Sequence, residues 1–163
     1  MGYIDKFELF CADIFDKNFI LPEKVDCVVL SYTASTFVSN FETLKKLIIQ
    51  CKEYIKEDGY VIVTDFSWVE APKENFWAGF YTESYDKKPK DFEKFKFIIE
   101  TAPNQPYDIF NIPANIMFLA GMEAGFKNID FKLQYSNPKF KDHSVIKRYM
   151  EECKSPEYVM IMK

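Results

Sequence analysis

Two short apolar runs on either side of an amphipathic segment constrain the fold of this chain more than any other feature. Val25–Ser31 (VDCVVLS) and residues 60–66 (YVIVTDF) are rich in β-branched residues, which is typical of strands buried on both faces of a parallel sheet. Between the two runs, apolar side chains recur at helical spacing and form one stripe: Phe41, Leu44, Leu47, Ile48, Cys51, Tyr54 and Ile55. A strand, a helix and a strand with short connections form a βαβ unit, so the sequence predicts an α/β fold with parallel strands.

The ends of the helix in this unit carry their own signals. Ser39 and Glu42 have the spacing of a capping box, which predicts the start of the helix. Asp58 and Gly59 predict its end, with Gly59 in the left-handed conformation that commonly follows a helix. The second strand then begins at Tyr60.

The rest of the chain predicts further strands and one insertion within a single domain. Aromatic residues among prolines and charged residues in residues 67–90 predict a lid or irregular insertion. The alternation of apolar and charged residues in 92–100 predicts a strand with one solvent-exposed face. Residues 107–112 return as its hairpin partner, so residues 67–112 form a lid and hairpin insertion. The remaining predicted elements are strands over 7–12, 129–135 and 156–163 and helices over 114–124, ended by Gly125, and 144–153.

Charge and composition exclude several classes of function. The chain has 163 residues and a net charge of −4, and Arg148 is its one arginine, which argues against nucleic acid as a partner. No apolar run approaches the roughly 18 residues of a membrane span, and the first residues, MGYIDK, do not form a signal peptide. The four cysteines lack C-x-x-C spacing, which predicts reduced thiols, no metal site and a cytoplasmic protein.

Three groups of residues are candidates for chemistry. Asp13 follows a predicted strand and either accepts a hydrogen bond from an exocyclic amine at the ligand-binding edge or starts a turn. The aromatic residues from Trp68 to Tyr81, with Tyr32, either hold a cationic centre or pack a lid. Asp65, at the end of a strand, and His143, in a charged loop, are the candidate general bases.

These segments, in their order, resemble a known family. Asp13 after a strand, then VDCVV (25–29), IKEDGYVIV (55–63) and AGF (124–126) resemble the class I S-adenosylmethionine-dependent methyltransferases over nearly the whole chain. The latter half looks closest to the toxoflavin-type small-molecule branch, in which a hairpin precedes the AGF helix and a short helix precedes a last strand led by Ser-Pro. The resemblance implies a Rossmann-like methyltransferase sheet, mostly parallel with an antiparallel last strand, and S-adenosylmethionine as cofactor.

The resemblance also implies roles for individual residues. Asp13 and Ile14 would bind the adenine, with Phe15 as a neighbour of the ring. Ser31 and Tyr32 would border the methionine moiety and the transferred methyl group. The residues expected to face the methyl acceptor are Trp77, Phe80, Tyr81, Tyr107 and Asn111.

The sequence departs from the family pattern at its beginning. The family's first strand carries a Gly-x-Gly-x-Gly loop and its second ends in an acid, whereas none of the five glycines of this chain forms such a loop. We therefore expect the C-terminal portion of the family sheet, lacking the first two strands. In the order 3-2-1-4-5, strand 7–12 would not neighbour Val25–Ser31.

That missing pair of strands leaves three structural alternatives. Another chain or an upstream segment supplies the strands, or strand 7–12 moves to pair with Val25–Ser31, or the first 20 residues are loosely held. We favour the first, which makes this chain part of a split or truncated methyltransferase acting on a small molecule. The alternatives in function are a non-catalytic remnant or regulatory subunit and, with less support, half of a nucleotide-binding oxidoreductase.

Overall fold

The computed structural model describes residues 11–16, 18–66, 80–82, 89–99, 104–133 and 157–163. Its elements follow one another along the chain as strands, helices and a small second sheet. They are β1 (Val25–Ser31), α1 (Ala34–Phe37), α2 (Phe41–Tyr54), β2 (Ile55–Phe66), β3 (Phe80–Thr82), β4 (Lys94–Ile99), β5 (Tyr107–Phe110), α3 (Ala114–Glu123), β6 (Ile129–Leu133) and β7 (Glu157–Met162).

The main sheet has four strands in the order β1-β2-β7-β6. β1 and β2 are parallel, with Leu30 opposite Val63, as the βαβ pattern predicts. β7 is antiparallel to both β2 and β6, so β6 runs in the same direction as β1 and β2. The predicted sheet, mostly parallel with an antiparallel last strand, is therefore confirmed.

β1 lies at the edge of this sheet, because β2 is its one strand neighbour in the described part of the chain. Only Leu30 of this strand is buried, and Val29 is 59% exposed. The expectation that β1 is buried on both faces is therefore wrong. Cys11 and Ala12 are not in a strand, and the rest of the predicted strand 7–12 lies outside the described residues.

One face of the sheet carries the helices and the core. Leu44, Leu47 and Ile48 of α2 are fully buried, and they belong to one cluster with Val61 of β2 and Met160 of β7. α3 lies beside α2, and Lys45 of α2 forms an ion pair with Glu123 of α3 at 2.7 Å. The amphipathic stripe predicted for residues 41–55 therefore faces this core.

Of the cysteines, Cys51 is in this core, Cys27 is half-buried and Cys11 is exposed, all as free thiols. Burial raises the pKa of the Cys51 thiol to about 12, so this thiol is protonated at neutral pH.

The two ends of α2 differ from the prediction. The cap is Asn40, whose Oδ1 accepts hydrogen bonds from the backbone N–H of Thr43 at 2.9 Å and from its hydroxyl at 3.0 Å. The helix ends at Tyr54, and β2 begins at the next residue. Gly59 thus lies inside β2 and does not have a positive φ; the register shift between Val25 and Cys27 places it at a bulge.

The predicted hairpin pairing is confirmed, and this second sheet has a third strand. β4 pairs with β5 in antiparallel fashion, with Phe95 opposite Ile109, and β3 pairs with the other side of β4. The sequence analysis missed β3, which has only three residues. β5 lies against α1, so this second sheet is next to the end of β1.

α3 ends as predicted, at a glycine. Gly125 has a φ of +83°, and its carbonyl accepts a hydrogen bond of 2.6 Å from Lys52 Nζ, which also binds the carbonyl of Ala124 at 3.1 Å. The predicted helix 144–153 lies outside the described residues. No helix within the described ranges is long and apolar enough to span a membrane.

Candidate functional site

The turn that follows β1 has an unusual backbone. Tyr32 has a φ of +52°, and its N–H donates to the carbonyl of Thr64 in β2 at 2.8 Å. A residue other than glycine with positive φ costs of the order of 1–3 kcal/mol, and such residues cluster at functional sites. Ser31 precedes Tyr32 and is exposed. The two residues predicted to border the methionine moiety therefore lie at the carboxyl end of β1, the edge at which parallel sheets bind ligands.

Asp65 lies next to this turn at the end of β2. Its carboxylate is fully buried, and Oδ2 accepts a hydrogen bond from the backbone N–H of Ser35 at 3.0 Å. Ser35 is in the first turn of α1, whose N-cap residue, Thr33, makes no side-chain cap. Asp65 therefore caps α1 from the neighbouring strand and places a carboxylate at the positive end of the helix.

Tyr158 lies beside Asp65 and bonds to the backbone between β5 and α3. Tyr158 is opposite Asp65 in the register of β7 and β2, and its hydroxyl donates to the carbonyl of Ile112 at 3.3 Å. Burial, with a contribution from the charge of Asp65, raises the pKa of the Tyr158 hydroxyl well above its usual value. The phenol is therefore a neutral donor that ties β7 to the start of α3.

Asn111 is next to the carbonyl that Tyr158 binds, and it is 1% exposed. Its Nδ2 donates to the carbonyls of Pro89 at 3.0 Å and Lys90 at 3.2 Å, so the side chain fastens the turn before β4, where Phe92 has a φ of +60°. Among the residues that the structure describes, none donates a hydrogen bond to the buried Oδ1 of Asn111. The predicted acceptor-binding residue thus has an oxygen that can accept one more hydrogen bond.

The predicted adenine segment lies beside α1. Asp13 is exposed, and its Oδ1 accepts the N–H of Phe15 at 2.9 Å in a local turn. The Phe15 ring meets the Phe37 ring edge-on with centroids 5.9 Å apart, and Ile14 packs against the core. The fold therefore places this segment against the end of α1, the helix that follows the turn after β1.

The remaining predicted residues have different placements. Tyr107 is on β5 and 46% exposed, whereas Phe80 and Tyr81 form β3, opposite Ile99 and Ile98 of β4. Trp77 and His143 lie outside the described residues, so their roles as acceptor contact and general base stay predictions. In the described part of the chain, no group of three or more His, Cys, Asp or Glu side chains could hold a metal ion.

Ser35 and Tyr158 are the site residues that the sequence analysis missed. No local pattern marks either of them, because each meets Asp65 only through the packing of α1 and the pairing of β7 with β2. Knowledge of the strand register would have found Tyr158.

A cavity of about 240 Å³ lies elsewhere, between residues 19–24 and the last turn of α2. Its lining includes Phe19, Ile20, Glu53 and Tyr54. Because residue 24 leads directly into β1, this cavity is at the amino end of the strand, whereas the turn at Tyr32 is at the carboxyl end. The cavity is therefore separate from the candidate site.

Comparisons with known proteins identify the fold. No family model and no curated protein sequence matches the chain. Among solved structures, a putative S-adenosylmethionine-dependent methyltransferase from Listeria monocytogenes matches 90% of this chain with a TM-score of 0.60 and 14% identity. A methyltransferase of the same description from Clostridium acetobutylicum matches 94% with a TM-score of 0.55 and 16% identity, and CcbJ from Streptomyces caelestis matches 93% with a TM-score of 0.53 and 12% identity.

The chain therefore has the Rossmann-like α/β fold of the S-adenosylmethionine-dependent methyltransferases, as the sequence motifs predicted. It spans 64% of the length of the Listeria protein, 63% of the Clostridium protein and 61% of CcbJ. The likeness to the toxoflavin-type branch is not confirmed.

Proposed function

We propose that this chain takes part in the transfer of a methyl group from S-adenosylmethionine to a small-molecule acceptor. The observation that carries the proposal is the contact of Phe15 with Phe37 at the end of α1, the helix that follows the strained turn at Tyr32, on a fold whose solved neighbours are described as S-adenosylmethionine-dependent methyltransferases. A protein that binds a cofactor and its acceptor together supplies alignment and a water-poor site, and the cofactor supplies the hard chemistry.

The described residues fit one part of the cofactor. The carboxylate of Asp13 is exposed and accessible to the exocyclic amine of adenine, and Ile14 and Phe15 offer apolar contacts to the ring. Ser31 and Tyr32 would border the methionine end. S-adenosylmethionine would supply an activated methyl group on its sulfonium; this chain's residues would hold the adenine and orient the sulfonium end.

The inserted sheet supplies the acceptor side of the proposed site. Tyr107 is exposed on β5, and Asn111 follows the same strand with a buried oxygen that has no hydrogen-bond partner in the described part of the chain. A neutral amide oxygen suits an acceptor that carries an N–H or O–H donor. With Trp77, Phe80 and Tyr81, these residues would enclose a small molecule, and the protein would act in the cytoplasm.

The edge position of β1 supports the proposal that further strands complete this site. β1 has the apolar sequence of a central strand, yet in the described part of the chain it pairs on one side only, with β2, and unpaired edge strands are templates for further pairing. Another chain or a segment outside this sequence would supply the missing strands and the glycine-rich loop, and these would add to the cofactor binding that this chain's own residues provide.

A second candidate is a non-catalytic remnant or regulatory subunit of the same fold. The specific observation that favours it is that the five glycines of the printed sequence form no Gly-x-Gly-x-Gly loop. This candidate predicts a folded chain that does not bind the cofactor product, so one binding measurement separates the two.

Calorimetric titration with S-adenosylhomocysteine tests the proposal. We expect saturable binding to the wild-type chain and an affinity at least about tenfold lower for Asp13→Ala, because a hydrogen bond to a charged group contributes about 1.5–3 kcal/mol. The matched control is Asp16→Ala, since Asp16 is also exposed and also accepts a backbone N–H two residues ahead, from Asn18 at 2.9 Å. Equal affinities for the two variants would remove the adenine role of Asp13; a folded wild-type chain without binding would favour the non-catalytic candidate.

A further inference from the structure

A buried carboxylate in a protein needs hydrogen-bond donors. The elements that supply these donors indicate which parts of the fold the carboxylate holds together. Asp65 is 0% exposed, and the backbone N–H of Ser35 donates to it at 3.0 Å. The two residues are on different elements, 30 positions apart. This bond therefore fastens the end of β2 to the first turn of α1.

Ser35 also contacts the turn after β1. Its hydroxyl donates to the carbonyl of Tyr32 at 3.4 Å, and the N–H of Tyr32 donates to Thr64, the residue before Asp65. Tyr32 is thus held from both sides by groups anchored at the end of β2. Its positive φ requires such support, since an unsupported tyrosine would relax to an extended or helical conformation.

We infer that Asp65 is a positioning residue of the proposed methyl-transfer site, which holds Tyr32 in the left-handed conformation through Ser35. This inference rests on the proposed function for the part that concerns ligand binding. The left-handed residue turns the chain from β1 into α1, and it sets the direction in which Ser31 and Tyr32 meet a ligand at the carboxyl edge.

The alternative role for Asp65, as general base, has less geometric support. A general base must reach the proton that it removes, directly or through one water. The carboxylate of Asp65 is fully buried and already accepts the Ser35 N–H. What this geometry requires of the side chain is an oxygen that accepts a hydrogen bond, and the amide of asparagine also has one.

The test compares Asp65→Asn, which keeps an acceptor oxygen, with Asp65→Ala, which does not. The control is Asp130→Asn, the same chemical change at an exposed position on β6. One readout needs no ligand: the intraresidue Hα–HN nuclear Overhauser effect of Tyr32, which is strong at positive φ and weak in extended backbone, together with the amide shift of Ser35. The second readout is the dissociation constant for S-adenosylhomocysteine.

We expect Asp65→Asn and Asp130→Asn to keep the strong Tyr32 signal and to bind S-adenosylhomocysteine within about threefold of wild type. We expect Asp65→Ala to lose the strong signal, to shift the Ser35 amide and to bind at least about tenfold more weakly, because the hydrogen bond that Ser35 donates to Asp65 is lost and Tyr32 is no longer held. An unchanged Tyr32 signal in a folded Asp65→Ala chain would overturn the inference.

If Asp65→Ala does not fold, Asp65→Asn alone decides. A folded Asp65→Asn chain that loses the Tyr32 signal would show that Asp65 holds Tyr32 through its charge; one that keeps the Tyr32 signal while its affinity falls at least about tenfold would show that Asp65 acts on the ligand and not through Tyr32, and would overturn the inference. If the wild-type chain does not bind S-adenosylhomocysteine but the Tyr32 signal follows the expected pattern, the proposed function fails while the positioning role stands.

Discussion

Replacing Tyr158 by alanine should lower the free energy of unfolding by about 3–5 kcal/mol, the range seen when a buried aromatic side chain is truncated. Tyr158 is 0% exposed and has the largest fully buried side chain of the described residues. It lies on β7, between β2 and β6. It is opposite Asp65 of β2, and its hydroxyl donates to the carbonyl of Ile112. The cavity left by the ring would open in the core of the main sheet, beside Asp65 and Ile112.

Tyr158→Phe is the matched control, because it keeps the ring and removes only the hydroxyl. Its expected cost is about 1 kcal/mol, the contribution of one hydrogen bond, and the 3.3 Å length of that bond favours the lower part of the range. Urea denaturation of the three chains measures both differences. Similar losses for the two variants would mean that the hydroxyl, and not the packing of the ring, holds this junction.

Replacing Gly59 should lower the free energy of unfolding by about 1–3 kcal/mol, whether the new residue is alanine or asparagine, since overpacking has this cost. A Cβ at this position would lie 2.9 Å from Ile55 Cβ, 3.0 Å from the carbonyl oxygen of Asp26 and 3.1 Å from the backbone N of Lys56. Two of these neighbours are backbone atoms of the bulge between β1 and β2, so they cannot move without disturbing strand pairing.

Gly125→Asn provides the contrast. Gly125 has a φ of +83°, and its Cβ would meet only the flexible end of Lys52, at 3.0 Å. Asparagine is a known residue at this left-handed position after a helix, so we expect a smaller loss than for Gly59→Asn in the same urea experiment. Equal tolerance of asparagine at both positions would contradict the close-approach role of Gly59.

Gly59 also shows where local sequence patterns reach their limit. The pair Asp58-Gly59 predicts a left-handed helix end, and the same signal is correct at Gly125. The two positions differ because α2 already ends at Tyr54, so Gly59 falls within β2, in the bulge opposite Asp26. A glycine in the sequence does not tell whether the position needs a positive φ or the close approach of another backbone. The close approach at Gly59 depends on β1, which is distant in sequence.

The elements of the main sheet could be predicted because their signals are local. The apolar runs of β1 and β2, the stripe of α2 and the glycine after α3 all depend on neighbouring residues. Predicted burial was wrong for Val29, because the apolar composition of a strand does not tell whether another layer covers each face of the sheet. The contacts of Asp65 with Ser35 and Tyr158 depend on tertiary packing. Asp65 could therefore be predicted as a site residue from the sequence, whereas its two neighbours could not.

The most direct test of the central claim, that the carboxyl edge of β1 and β2 binds the cofactor, is to map amide shifts during titration of the labelled chain with S-adenosylhomocysteine. We predict that the largest changes fall on Asp13, Ile14, Phe15, Ser31 and Tyr32. Changes centred instead on the cavity that Phe19, Glu53 and Tyr54 line, or no changes at all in a folded chain, would contradict the claim.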